Sequence, residues 1–190
     1  VKALHAQRDS LGLNAEQAQL LDRYHTDFVR AGANLSAEDK VKLKDYNAQL
    51  ATLQTRFTQN VQKETNASAV LFDSRDALAG LPASAIDAAA KAAGDAGHEG
   101  KFLLALQNTT GQPPLAQLSH RESRQRLFEA SVSRGSKGGE FDNRELVAQI
   151  VKLRAERAVL LGYPNHATYV LEDGTAGSIA LNATTGNLAL

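Results

Sequence analysis

The sequence predicts an all-α fold, an antiparallel helical hairpin followed by further helices, with at most one small strand element. Three observations lead there. Leu43, Tyr46, Leu50, Leu53 and Phe57 recur at alternating steps of three and four, which lines them along one face of a long helix. Stretches of helical periodicity open on residues whose side chains accept from free backbone N–H groups and close on glycines. No series of apolar strands alternates with those stretches, as a parallel sheet requires.

The chain begins at Val1 in a charged, helix-compatible stretch, which reads as a piece whose start lies upstream. Asn14, with Gln17 three residues on, forms a capping pattern ahead of Leu20, Leu21, Tyr24 and Phe28, and Gly32 closes this first helix. Ser36 with Asp39 opens the second helix, over about 37–66, and a rise of ~1.5 Å per residue makes it roughly 45 Å long. The short link predicts a hairpin over 14–66, with Leu50, Leu53 and Phe57 buried against Tyr24 and Phe28.

Residues 67–118 form an irregular segment. Val70, Leu71 and Phe72 make a short apolar run, Gly80-Leu81-Pro82 a turn, and the Ala-rich stretch 83–93 a short helix followed by Gly94 and Gly97. The best strand candidate is 101–106, before a turn region from Thr109 through Thr110 to Pro114. Helices resume over 119–173. Ser119 with Glu122 reads as a capping box, Leu127 and Phe128 as the apolar face, and Gly135 as the end. Asp142 with Glu145 opens a helix carrying Leu146, Ile150, Leu153 and Leu160 and closed by Gly162; Pro164 leads into one with Tyr169 and Leu171. From 174 to 190 the small polar residues show weak periodicity and form an unassigned tail.

At 190 residues the chain is long enough to bury a core without staples. Lys plus Arg and Asp plus Glu both number 21, so no whole-chain field favours nucleic acid or an anionic membrane. The absence of Cys excludes a disulfide, a thiolate metal site and a cysteine nucleophile but does not separate a cytoplasmic from a periplasmic location. No apolar run is long enough for a transmembrane segment.

A helical zinc hydrolase site needs two His four residues apart, with Glu after the first, so that both imidazoles share a face. The histidines are His5, His25, His98, His120 and His166, and no two have that spacing. His98-Glu99 begins the pattern, but Phe102 stands where the second His belongs, so His98 reads as a loop histidine. In Ser119-His120 the serine reads as an N-cap, and His25 and His166 as packed or half-exposed. Gly135, Gly138 and Gly139 form a loop with no phosphate-binding pattern. Arg121, Arg124, Arg126 and Arg134, interspersed with Glu122 and Glu129, read as a solvated face with no nucleic-acid partner. The residues therefore yield no catalytic, cofactor-binding or metal-ligating candidate.

The order of the segments carries a resemblance. Arg30-Ala31-Gly32, Leu35 and the long helix through Leu50, Leu53, Phe57 and Asn60 are followed by Gly80-Leu81-Pro82 and by Arg126-Leu127-Phe128-Glu129-Ala130 with Arg134. Asp142-Asn143, Ile150, Leu153-Arg154, Leu160-Leu161-Gly162-Tyr163 and Asn165-His166-Ala167-Thr168-Tyr169 complete the series. Over 20–173 this resembles the thimet-oligopeptidase-like zinc metallopeptidases, nearest the bacterial peptidyl-dipeptidases. The resemblance implies the N-terminal helical part of a larger two-lobed enzyme, walling a channel for short peptide substrates. Zinc in the full-length enzyme is then bound by an H-E-x-x-H helix and a later Glu in a C-terminal catalytic portion absent from this chain, and residues 1–190 alone are expected to be inactive. The alternatives are an oligopeptidase A-like endopeptidase and a free-standing helical interaction module built on the seam from Leu43 to Phe57.

Overall fold

The computed structural model describes residues 1–107, 109 and 111–174, so the tail at 175–190 and Thr110 of the expected turn lie outside the described residues. The described residues are mostly helical, and they divide into two compact units.

One unit comprises Val1–Thr52 and the described residues from Ile150 on. It contains α1 (Lys2–Ala6), α2 (Ala15–Arg30), the first part of α3 (Ala37–Ala67), the last part of α6 (Arg144–Leu160) and α7 (His166–Leu171). Both halves of the Asn14 capping box form: the Gln17 N–H donates to Asn14 Oδ1 at 2.9 Å, and the Asn14 N–H to Gln17 Oε1 at 3.1 Å. At the other end of α2 the N–H groups of Gly32 and Ala33 donate to the carbonyls of Val29 and Phe28, a Schellman closure. Gly32 has φ 91°, and a Cβ there would run into the Leu43 side chain, so backbone conformation and packing both demand glycine. Ser36 caps α3 by accepting from the Asp39 N–H at 3.0 Å. Leu43 and Leu50 are buried with Tyr46 half-buried between them, as the three-four spacing requires.

The expected zipping of α2 onto this seam does not occur. No residue of α2 is buried, and Tyr24 and Phe28 are 53% and 51% exposed. From α6, Arg157 reaches this part of α3, its Nη1 donating to Asn47 Oδ1 at 3.1 Å. Periodicity marks the face a helix will bury, but not the element that covers it. α1 rests on α2 through a stack of His5 on His25 (centroids 3.7 Å apart), and Arg8, in the turn after α1, pairs with Asp22 at 2.8 Å.

The other unit, Leu53–Gln149, has a two-stranded ribbon as its floor. β1 (Val70–Phe72) pairs antiparallel with β2 (Phe102–Leu104) in the register Val70↔Leu104, Leu71↔Leu103, Phe72↔Phe102. The strand candidate at 101–106 thus finds its partner in the apolar run at 70–72, across α4 (Ala83–Asp95), which packs on β2. Phe72, Leu78 and Leu127 are fully enclosed at the centre, ringed by Val70, Ile86, Leu106 and Leu118.

Two capping assignments shift by one residue. α5 (Arg121–Val132) starts after His120, while the Ser119 N–H donates to the Ala79 carbonyl at 2.8 Å. That tie holds Ser119 against Gly80, which has φ 97° and whose Cβ would collide with the Gln117 carbonyl. Pinned by its backbone, Ser119 cannot cap. Likewise α6 starts after Asn143, and the Asp142 carboxylate accepts from the N–H groups of Arg144 (2.9 Å) and Gly138 (2.7 Å). Hydrogen bonds from the Arg144 side chain and backbone hold its pKa well below the usual carboxylate range. Among the described residues no helix is long and apolar enough to cross a membrane.

Phe72→Ala should cost ~3–5 kcal/mol in urea unfolding, because the ring is wholly enclosed. Phe57→Ala should cost distinctly less, since Phe57 is only half-buried, and Val41→Ala, at 69% exposed, should stay within about 0.5 kcal/mol of the parent. Equal losses at Phe57 and Phe72 would contradict this placement of the core.

Candidate functional site

Beyond Phe57 the three-four seam of α3 continues, but in polar residues. Asn60 and Glu64 occupy the next two seam positions, and with Thr65 they are buried. Buried polar groups must find partners or destabilise the fold. Asn60 Nδ2 donates to Asn143 Oδ1 at 3.0 Å, and Asn143 Nδ2 donates to the Phe57 carbonyl at 3.3 Å. The Glu64 carboxylate accepts from the Gly135 N–H at 2.7 Å. These ties fasten both ends of the 135–143 loop to α3.

Arg134 fans out beside them. It donates to the carbonyls of Ser131 (3.0 Å), Gln107 (2.8 Å) and Thr109 (2.6 Å) and to Thr65 Oγ1 (3.2 Å). The buried Gln112 amide donates to the Gln107 and Thr109 carbonyls and to Ser131 Oγ, and accepts from the Gln107 N–H. An open cleft of about 690 Å³ lies against this network, with Phe57, Val61, Val132 and Val147 as its apolar wall and Arg134 and Asn143 at its polar edge. Such a surface suits binding and shaping.

In the other unit a cationic-aromatic cluster gathers around α7. Asn165 caps the helix by accepting from the Thr168 N–H at 2.8 Å. The Tyr169 ring lies under the guanidinium of Arg30, 4.3 Å from its centroid, and of Arg157, at 5.3 Å. Arg30 also donates to the Tyr169 carbonyl at 2.6 Å and to Glu172 at 2.8 Å, while the Tyr163 hydroxyl meets the same carboxylate. Burial, and then the nearby Arg154 and Arg157, push the His166 pKa down; burial and then Glu172 push that of Tyr163 up.

The five histidines do not converge. His5 and His25 stack on each other; exposed His98 closes α4 by donating its N–H to the Ala93 carbonyl; His120 borders α5; His166 sits beside Tyr169. Among the described residues no three of His, Asp and Glu are grouped closely enough to hold a metal ion. His120 Nδ1 lies 3.2 Å from Ser123 Oγ, a contact that adjacency in sequence could not show, but Ser123 is 2% exposed and its hydroxyl is out of a substrate's reach. The arginines read as a solvated face are largely engaged with backbone. Arg124 binds the Leu118 and Ser119 carbonyls, and Arg126 binds that of Leu71 with its guanidinium over Phe72. Sequence reasoning missed the polar cluster at Asn60, Glu64 and Asn143; the signal was polar residues continuing an apolar seam.

Residues 115–180, which include Arg134, Asn143 and Tyr169, match Peptidase family M3. The chain is homologous to the M3 peptidases. It is 42% identical over 176 residues to a dipeptidyl carboxypeptidase of Salmonella typhimurium, a match covering 93% of this chain and 26% of that protein. Identity to the dipeptidyl carboxypeptidase of Escherichia coli is 38% over the same shares. Against oligopeptidase A of Escherichia coli it is 30% over 159 residues, 82% of this chain and 23% of the relative. The chain thus spans about a quarter of the length of the curated relatives it matches.

Two outcomes follow from the geometry. Asn143→Ala leaves the buried Asn60 Nδ2 without its partner and should lower unfolding stability by about 1–3 kcal/mol, whereas Gln149→Ala on exposed α6 surface should leave it nearly unchanged. His166, with its pKa depressed in the folded state, remains neutral where the unfolded chain takes up a proton. Its contribution to stability should therefore be intact above about pH 6.5 and decline as pH falls from there toward the lower folded value. Comparing melting temperatures of the parent and His166→Gln across pH 7.5 to 5 checks this, and parallel profiles would contradict it.

Proposed function

We propose that this chain is part of a zinc-dependent M3 oligopeptidase that hydrolyses short peptides and releases dipeptides from their carboxyl ends. In this reading residues 1–190 supply a helical wall of the substrate channel, and the zinc ligands and general base lie in the remaining polypeptide. The observation that carries the dipeptide specificity is the 42% and 38% identity to two dipeptidyl carboxypeptidases. An oligopeptidase A-like endopeptidase is the second reading, supported by the 30% identity to those enzymes.

The chemistry expected of these residues is positional. Zinc supplies a Lewis acid and an activated water when bound in the complete enzyme. The residues described here contribute a surface that is stiff because its buried polar groups are mutually satisfied, together with the apolar cleft beside Phe57. The narrowness of the channel admits a short unfolded peptide and excludes a folded protein, and a fixed wall limits the geometries in which a bound peptide can lie.

The complete polypeptide should release dipeptides sequentially from a peptide with a free carboxyl end, lose most of that activity when the end is amidated, and fall silent with a chelator. Residues 1–190 alone should cleave neither peptide. Internal cleavage that ignores amidation, read by mass spectrometry of the products, would favour the endopeptidase. No chelator-sensitive cleavage of any short peptide would overturn the reading.

A further inference from the structure

Leu20, Tyr24 and Phe28 stand at i, i+4 and i+8 and form one stripe along α2. Each is more than half exposed, at 55%, 53% and 51%. Isolated surface hydrophobics are ordinary, but a continuous stripe on one helix is a contact face. At the Phe28 end the stripe meets two shallow grooves. One, of about 480 Å³, runs between Phe28 and Leu43 and has Lys40 and Lys44 on its edge. The other, of about 300 Å³, has His25 and Val29 in its wall. Lys42 takes Glu38 and Asp39 as partners, while Lys40 and Lys44 have no ion pair among the described residues.

We propose that this face docks an amphipathic helix from the part of the same polypeptide outside residues 1–190, apolar toward Leu20, Tyr24 and Phe28 and carrying Asp or Glu where it passes Lys40 and Lys44. The inference rests on the reading of this chain as one part of a longer M3 peptidase. Relatives of which it spans 26% have ample chain to supply such a helix. Size decides between that occupant and a second copy. Three half-exposed large side chains offer roughly 300 Å², well short of the ~800 Å² per partner of a stable association between separate proteins. A covalently linked segment meets the face at high effective concentration and does not need so large an area. α2 gains as well, because a helix of 16 residues draws most of its stability from packing its apolar face.

The test places a benzophenone-bearing phenylalanine at position 24 of the complete polypeptide, where the exposure of Tyr24 leaves room for the larger side chain, and maps the photo-cross-links by mass spectrometry. The expected product is a cross-link within one chain, joining α2 to an amphipathic segment outside residues 1–190. The double variant Lys40→Glu, Lys44→Glu, at exposed positions, should lower its yield several-fold and lower the melting temperature. Cross-linked dimers would assign the face to a second copy. Cross-links confined to residues 1–190, or none, would show that no such helix docks, and an unchanged yield in the lysine variant would remove the acidic flank. Dipeptide release measured on the same samples separates the two readings: a cross-link in a protein without peptidase activity leaves the docking intact and overturns the function, and an active protein without the cross-link does the reverse.

Discussion

A buried amide pair, Asn60 with Asn143, is the contact on which the order of the second unit depends. Neither side chain can be satisfied by water where it sits, so each requires the other in one geometry, and Asn143 also takes the Phe57 carbonyl. Apolar contacts tolerate sliding by a fraction of a turn; amides paired away from solvent do not. Glu64, receiving the Gly135 N–H, sets a second point one turn further along α3. With α3 tied at both points, the loop rich in glycine between α5 and α6 has fixed ends despite a sequence that by itself would let it wander.

The neighbouring network extends the same logic. Arg134 and Gln112 together meet the carbonyls of Gln107 and Thr109, so the segment after β2 is tied through side chains where it has no ladder partner. The guanidinium and the amide are suited to this because each offers several donors in a plane. The outcome is a surface whose buried polar groups are mutually satisfied, with the apolar residues Phe57, Val61, Val132 and Val147 lining the cleft beside it.

The residues that carry the resemblance to the thimet-oligopeptidase-like enzymes are in large part these fasteners. Asn60, Arg134 and Asn143 tie α3 to the loop; Gly80 lets the backbone of 117–119 approach; Arg126 reaches the Leu71 carbonyl; Arg30 caps the Tyr169 ring. The likeness therefore has a physical content here, the construction of a surface. Homology to the M3 peptidases gives that surface its context.

Local chemistry was legible in the sequence where it involves residues near each other in the chain. The Asn14 and Ser36 caps, the glycine closures at Gly32 and Gly162, the Ala-rich helix at 83–95 and the seam from Leu43 through Leu50 follow from backbone geometry and a period of 3.6. The Ser119 assignment failed by one residue because a long-range backbone tie to Ala79 fixes it, and the Asp142 assignment because its carboxylate turns to the nearby N–H groups of Arg144 and Gly138. The strand at 70–72 needed a partner thirty residues away before its three residues could count as a strand. Which faces meet was decided only in three dimensions. The stripe on α2 and the seam on α3 look complementary in sequence, yet the first is left open and the second ends in buried amides whose partner lies 83 residues on. Periodicity specifies that a face must be covered, and the covering element is chosen by the combined packing and polar satisfaction of the whole fold, which no local window contains.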